Sequence, residues 1–304
     1  MTKRSKARSK EVNPKVAARR AARKAAQAAF QQGEVTGPLR AFEGLPGEVD
    51  WVALREVVPA ATATARTTAE YGSRDVTVVT LLPGLLAAMH RKDGQILVAL
   101  QTPSSSADAS RDVATALLAA LEAEPGTALT QVDLDPEGPR LQDVLDTSVD
   151  FEVTLHDNFE YALDPEEEIT GEVKDALEQF AESIVPTVKV AGVEGAYWCR
   201  MSGREYLRWS RPEPEEELLD ALARLHATGE SVLEEGTRLI GTFRSCGLVI
   251  PVWELVRGSE ADELGPLLPP FQERLTEALA WTGELGSDER RARASLVSRQ
   301  VTLR

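Results

Sequence analysis

Two clusters of leucine at helical spacing dominate the apolar pattern of the chain. Leu117, Leu118 and Leu121, and later Leu218, Leu219, Leu222 and Leu225, recur at three- and four-residue steps, which lays one apolar stripe along each of two helices. A hairpin precedes each stripe. Runs 88–90 and 96–100 flank Asp93-Gly94, and runs 197–201 and 206–209 flank Ser202-Gly203. Asp-Gly between apolar runs is a strong hairpin signal and Ser-Gly a weaker one. Further upstream in each half, a helix runs into Val-Pro and then a strand. In the first half these are 49–57, Val58-Pro59 and 60–67; in the second, 172–183, Val185-Pro186 and 187–191. Proline-containing loops (Pro103; Pro212 and Pro214) separate hairpin from leucine helix, and Gly-Thr-x-Leu (Gly126 to Leu129; Gly236 to Leu239) opens a further strand after it.

This shared order reads as two α+β modules, over 49–150 and 151–258, each a small sheet with helices on one face. The hairpin glycines lie 109 positions apart, the Gly-Thr pairs 110 and the Val-Pro pairs 127, so the first copy would carry an insertion containing 75–86. Duplication and a chance match of short signals both remain open at this level. Residues 259–304 follow, with helices expected at about 270–281 and 288–298 and a strand over 300–304, where Val301 and Leu303 alternate.

Composition supports a folded body. Hydrophobic residues make up 42% and aromatics 5%, so the core is expected to be mainly Leu, Val and Ala. Charge is distributed unevenly. Lys3, Arg4, Lys6, Arg8, Lys10, Lys15, Arg19, Arg20, Arg23 and Lys24 face a single acid, Glu11, giving +9 over residues 1–30. The whole chain carries −15, so the remaining 274 residues carry −24. Within the tail, 1–33, residues 1–12 read as disordered. Asn13 then suits an N-cap and Pro14 a first helical position, and Gly33 can end the Ala/Arg/Lys/Gln-rich run between them. Residues 34–48, with Gly37, Pro38, Gly44, Pro46 and Gly47, read as a linker.

Five segments are distinctive: Phe42-Glu-Gly-Leu-Pro-Gly-Glu, Trp51-Val-Ala-Leu-Arg-Glu-Val-Val-Pro, Ala196-Tyr-Trp-Cys-Arg-Met, Gly236-Thr-Arg-Leu and Ser298-Arg-Gln-Val-Thr-Leu-Arg. Together they resemble an actinobacterial family of unknown function, some of whose members are labelled preprotein translocase subunit SecA. The label goes with an N-terminal Cys-x-Cys…Cys-His/Cys zinc motif. This chain lacks that motif, its cysteines being Cys199 and Cys246, and it lacks a Walker A sequence. The resemblance implies a bacterial cytoplasm and carries no mechanism onto particular residues. An Arg/Ala/Ser-rich, acid-poor N-terminus also fits an organelle transit peptide, a reading that the bacterial resemblance opposes.

No dinucleotide or phosphate-binding glycine motif, nucleophile elbow, zincin motif or EF-hand loop is present, and neither a metal set, a cofactor nor a catalytic residue is assigned. No apolar run reaches the ~18 residues of a membrane span, and two cysteines make no disulfide framework; both favour the cytoplasm. His156 beside Asp157 reads either as an oriented base or as a strand-end turn. His90 reads as a solvated strand end and His226 as a cation near a helix C-terminus. Cys199 reads as an inert thiol, and Asp133 and Asp135 as carboxylates on one strand face. The runs Glu166–Glu168 and Glu215–Glu217 read as first turns of helices. The least ordinary segment is the second hairpin, where Tyr197, Trp198, Arg200, Arg208 and Trp209 interleave aromatics with arginine. They mark either an interface or a sheet with one buried and one charged face.

Three functions compete on this reading. The first is a binding protein whose basic tail engages RNA or the ribosome. The second is an enzyme with a small-molecule site between the modules. The third is an adaptor with a protein partner. None involves a membrane.

Overall fold

The computed structural model describes residues 38–102, 105–165, 170–181 and 184–298. The ten tail cations, the run Glu166–Glu168 and the strand expected over 300–304 lie outside the described residues. Within them the chain is mixed α+β, with seven α-helices and two sheets.

The first sheet holds β1 (Ala61–Arg66), β2 (Asp75–Val79), β3 (Ala88–His90), β4 (Ile96–Ala99), β5 (Thr127–Leu129) and β6 (Val153–Leu155) in the order β5-β3-β4-β2-β1-β6. Only the β2–β4 pair is parallel. The second holds β7 (Thr187–Lys189), β8 (Ala196–Met201), β9 (Arg204–Trp209), β10 (Arg238–Ser245) and β11 (Leu248–Glu254), antiparallel throughout, in the order β10-β11-β9-β8-β7. The helices are α1 (Glu48–Glu56), α2 (Ala109–Glu122), α3 (Leu141–Val144), α4 (Gly171–Ala181), α5 (Glu215–Thr228), α6 (Leu268–Leu279) and α7 (Ser287–Ser298).

Helix α1 joins the two halves. Its charged ends, Glu48 and Arg55-Glu56, stay at least partly exposed, while Val49 through Leu54 are all buried. Six consecutive buried positions cover more than one face of a helix, so this one needs neighbours on several sides. Here it shares one core with Ala61, Ala63, Val76, Val78, Ile96 and Val98 of the first sheet and Tyr197, Leu248 and Ile250 of the second. The other face of the second sheet carries Trp198, Leu207, Trp209, Val249 and Trp253, which pack with the leucines of α5 and with Leu268, Phe271 and Leu275 of α6. Strand side chains alternate between faces, so Tyr197 and Trp198 enter different cores.

The leucine stripes lie where their spacing puts them. Leu117, Leu218, Leu219, Leu222 and Leu225 are buried, and Leu118 and Leu121 pack half-buried against the core that holds Leu117. Both hairpin turns form, at Gly94 and Gly203.

Three expectations are corrected. Residues 39–47 belong to the folded body rather than to a linker. Ala41, Phe42 and Leu45 are buried, Arg40 pairs with Glu48, and the Ala41 N–H donates to the Cys246 carbonyl at 3.3 Å. At Gly247 (φ +83°), a Cβ would sit 2.0 Å from the Leu39 carbonyl oxygen, so glycine lets this segment lie against the β10–β11 turn. The linker reading rests on glycine and proline, which in fact lead into α1: Gly47 (φ +67°) is its N-cap, and the Pro46 carbonyl accepts from the Trp51 indole.

The two halves, moreover, do not superpose as expected. The strand after Val58-Pro59, β1, is separated from its hairpin by β2 and lies on the β4 side, whereas the strand after Val185-Pro186, β7, pairs directly with β8, the first hairpin strand. Short signals recurred in the same order while strand neighbours differed. The helices are also not confined to one face of the first sheet. Val79, Leu97 and Ala99 pack with Ala162 of the turn Glu160–Ala162, beside which Leu177 of α4 packs with Ala60 and Phe159.

Candidate functional site

The site is built around an acid inside an apolar helix. Asp50, in the first turn of α1, is 2% exposed and accepts hydrogen bonds from Lys189 Nζ at 2.7 Å, the Tyr197 hydroxyl at 2.8 Å and the Gly195 N–H at 3.1 Å. Lys189 and Tyr197 are register partners on β7 and β8, so a single carboxylate fastens α1 to two strands and to the loop between them. Gly195 (φ +68°) sits where a Cβ would lie 2.9 Å from both the Ser210 carbonyl oxygen and Val49 Cβ. Only glycine lets the loop approach the helix and strand this closely.

The loop so held forms one wall of a cleft of about 430 Å³, within the roughly 300–1,000 Å³ range of small-molecule sites. Val49 of α1, Val193 and Glu194 of the loop, Trp209 to Pro212 at the end of β9, and Leu268, Pro269 and Gln272 of α6 line it. The Trp209 indole N–H donates to the Glu194 carbonyl at 3.2 Å, which fixes the ring. The Arg211 guanidinium stacks over that ring at 4.4 Å. Its donors go to Glu213, at 3.0 Å from Nε, and to Gln272 Oε1 at 2.8 Å. Its charge is therefore neutralised within the wall. The Ser210 hydroxyl is sealed from solvent and has no hydrogen-bond partner among the described residues. The exposed Glu194 carboxylate makes no hydrogen bond or ion pair among the described residues.

The residues singled out from the second hairpin are placed mostly elsewhere. Tyr197, Trp198, Arg208 and Trp209 are buried, so four of the five side chains expected at an interface lie inside the protein. The reason is that both faces of this sheet are covered, and aromatic content measures core here. Arg208 donates to the Val57 carbonyl at 3.1 Å, at the C-terminus of α1, where the helix dipole favours a cation. Arg200 alone reaches solvent, stacked 5.0 Å over Trp198 and paired with Glu205 at 2.9 Å and Glu260 at 2.5 Å.

The titratable candidates are spread apart. His90 is buried, not solvated, with Nδ1 2.6 Å from the Ala123 carbonyl. His156 Nε2 lies 2.9 Å from Thr62 Oγ1, and burial holds its imidazole below the ordinary range. Burial pushes the Cys199 thiol up, against the pull of Arg208. Asp133 and Asp135 lie outside any strand, and Asp135 accepts the Glu137 N–H at 2.9 Å in a turn. Glu215–Glu217 do form the first turn of α5. Among the described residues no group of three or more His, Cys, Asp or Glu side chains is placed to share a metal ion, and no helix is long and apolar enough to cross a membrane.

Two phenols give a pH signature. Burial raises the Tyr161 hydroxyl to about 12, and burial together with the Asp50 charge raises that of Tyr197. Below the unfolded value of about 10 both states hold these protons. Between that value and about 12 the unfolded chain releases them while the folded chain keeps them, so stability is expected to fall as pH rises through this window. Urea unfolding in steps from neutral to alkaline pH, with a phenolate absorbance titration, checks this. Unchanged midpoints across the window would contradict it.

Sequence reasoning did not find Asp50, Lys189, Glu194 or Gln272. The one available signal was Asp50 itself, a carboxylate between Val49 and Trp51 in the apolar middle of a short helix. Residues 41–304 match a family model described as Family of unknown function (DUF5926). No curated protein and no solved structure matches the chain.

Proposed function

We propose for this chain, which belongs to that family of unknown function, a ligand-binding role centred on the cleft between α1, the β7–β8 loop and α6. The carrying observation is a concave, mainly apolar space of about 430 Å³ whose walls are set by fixed elements and whose polar groups are few. A small molecule, or one side chain of a partner, fits such a space. The test is a small-molecule binding screen on the full-length protein, by ligand-observed NMR, with Val193→Trp as the blocked variant. Binding by the parent and loss in Val193→Trp, at unchanged thermal midpoint, is expected. Binding that survives the bulky side chain would place the site elsewhere.

A second reading is favoured by the tail. Ten cations between Lys3 and Lys24 against one acid make a basic arm suited to RNA or ribosomal phosphates, while the −24 body is repelled by them. If about five cations engage, a fourfold rise in salt weakens RNA binding by roughly two orders of magnitude. A full-length variant with the ten cations replaced by glutamine should lose both the affinity and the salt slope. Equal affinities for the two proteins would remove this reading. With either reading we infer a bacterial, actinobacterial cytoplasm, which the resemblance of its motifs supports. The free Cys199 and Cys246 are in keeping with that.

A further inference from the structure

We propose that the cleft selects a cationic group carried on an apolar body, a primary amine on an aromatic or aliphatic stem being the simplest case. This deepens the ligand-binding reading and rests on it.

Arg211 spends its guanidinium on Glu213 and Gln272. The Gln272 amide donates to Thr276 Oγ1 at 3.2 Å, and the Trp209 indole to the Glu194 carbonyl at 3.2 Å. The Ser210 hydroxyl is sealed from solvent. A helix N-terminus such as that of α6 would ordinarily offer free amides to an anion. Here Pro269 and Pro270 carry no N–H, and the Leu267 and Leu268 amides donate to the Leu264 carbonyl at 2.9 and 3.3 Å. Three of the Arg211 N–H groups and the first amides of α6 are therefore committed within the protein, and two of that helix's opening positions carry no N–H at all.

What remains open is an acceptor, the unpaired Glu194 carboxylate at the rim. Val49, Val193, Trp209 and Leu268 supply apolar walls for a stem. The field adds to this preference, because residues 31–304 carry −24 and raise the local concentration of cations. A ligand ammonium at Glu194 makes a charge-assisted hydrogen bond, while its stem displaces water from the walls.

The test compares three probes of matched size on the full-length protein by titration calorimetry: 2-phenylethylamine, 2-phenylethanol and 3-phenylpropionate. At low salt the amine is expected to bind about threefold to tenfold more tightly than the alcohol, and the carboxylate most weakly. Added salt should shrink the gap. Glu194→Gln should abolish the advantage of the amine over the alcohol, with an unaltered thermal midpoint. Equal binding of amine and alcohol by the parent protein, a preference for the carboxylate, or an amine preference that persists in Glu194→Gln would each overturn the charge selectivity while leaving the cleft as a binding site. Failure of all three probes would overturn the ligand-binding reading as well.

Discussion

Replacing Trp51 by alanine is expected to cost about 3–5 kcal/mol of folding stability, the range for deleting a buried aromatic side chain. Trp51 is 1% exposed at the middle of α1. Its ring lies between those of Phe42 and Phe151, at centroid distances of 5.5 and 4.2 Å, and its indole N–H donates to the Pro46 carbonyl at 3.1 Å. One side chain thus ties the segment before α1 and the segment before β6 to the helix that both sheets share. Alanine would leave a cavity whose walls belong to three different elements, so collapse to fill it would have to move all three. Trp51→Phe keeps part of the stack and should cost clearly less. Denaturant unfolding of the three proteins checks the order. A Trp51→Ala loss below about 1 kcal/mol would mean that the stack contributes little beyond a surface contact.

Asp50→Ala is the second large effect, expected at about 2–4 kcal/mol. The substitution strands the buried Tyr197 hydroxyl, the Lys189 ammonium and the Gly195 N–H. Lys189 is 32% exposed and can turn to water, which keeps the expected loss below that of a fully enclosed ion pair. Asp50→Asn retains an acceptor and the volume, so it should fall between the parent and alanine. The node also holds the loop that carries Val193 and Glu194, so Asp50→Asn should weaken amine binding in the cleft more than its stability loss alone explains. Parent-like affinity in a folded Asp50→Asn protein would separate the node from the cleft.

Much of the secondary structure was legible in the sequence because its signals are local. Leu222 and its neighbours announce α5 by spacing, and Asp93-Gly94 announces the β3–β4 turn by conformational preference. What was not legible depends on which strand lies beside which. The insertion of β2 between β1 and β4 leaves no mark in Val58-Pro59, so the halves read as copies. The aromatic and arginine interleaving of 197–209 was ambiguous for the same reason. Alternation says that two faces differ, but not that both are covered. Of the candidate site, Trp209 was legible as unusual. Gln272 reaches Arg211 only through the packing of α6 on the second sheet, a contact between positions 61 apart in the chain.

The position of α1 has a consequence for how this protein can be divided. A chain cut between the halves, near residue 150, would leave α1 with the first fragment and strip Tyr197, Leu248 and Ile250 of their cover in the second. That fragment would present an apolar sheet face and an unsatisfied Lys189–Tyr197 pair to water, and the first would carry a helix bare on one side. Neither half is equipped to fold without the other, so the two sheets and α1 are expected to be inherited, expressed and recombined as one piece.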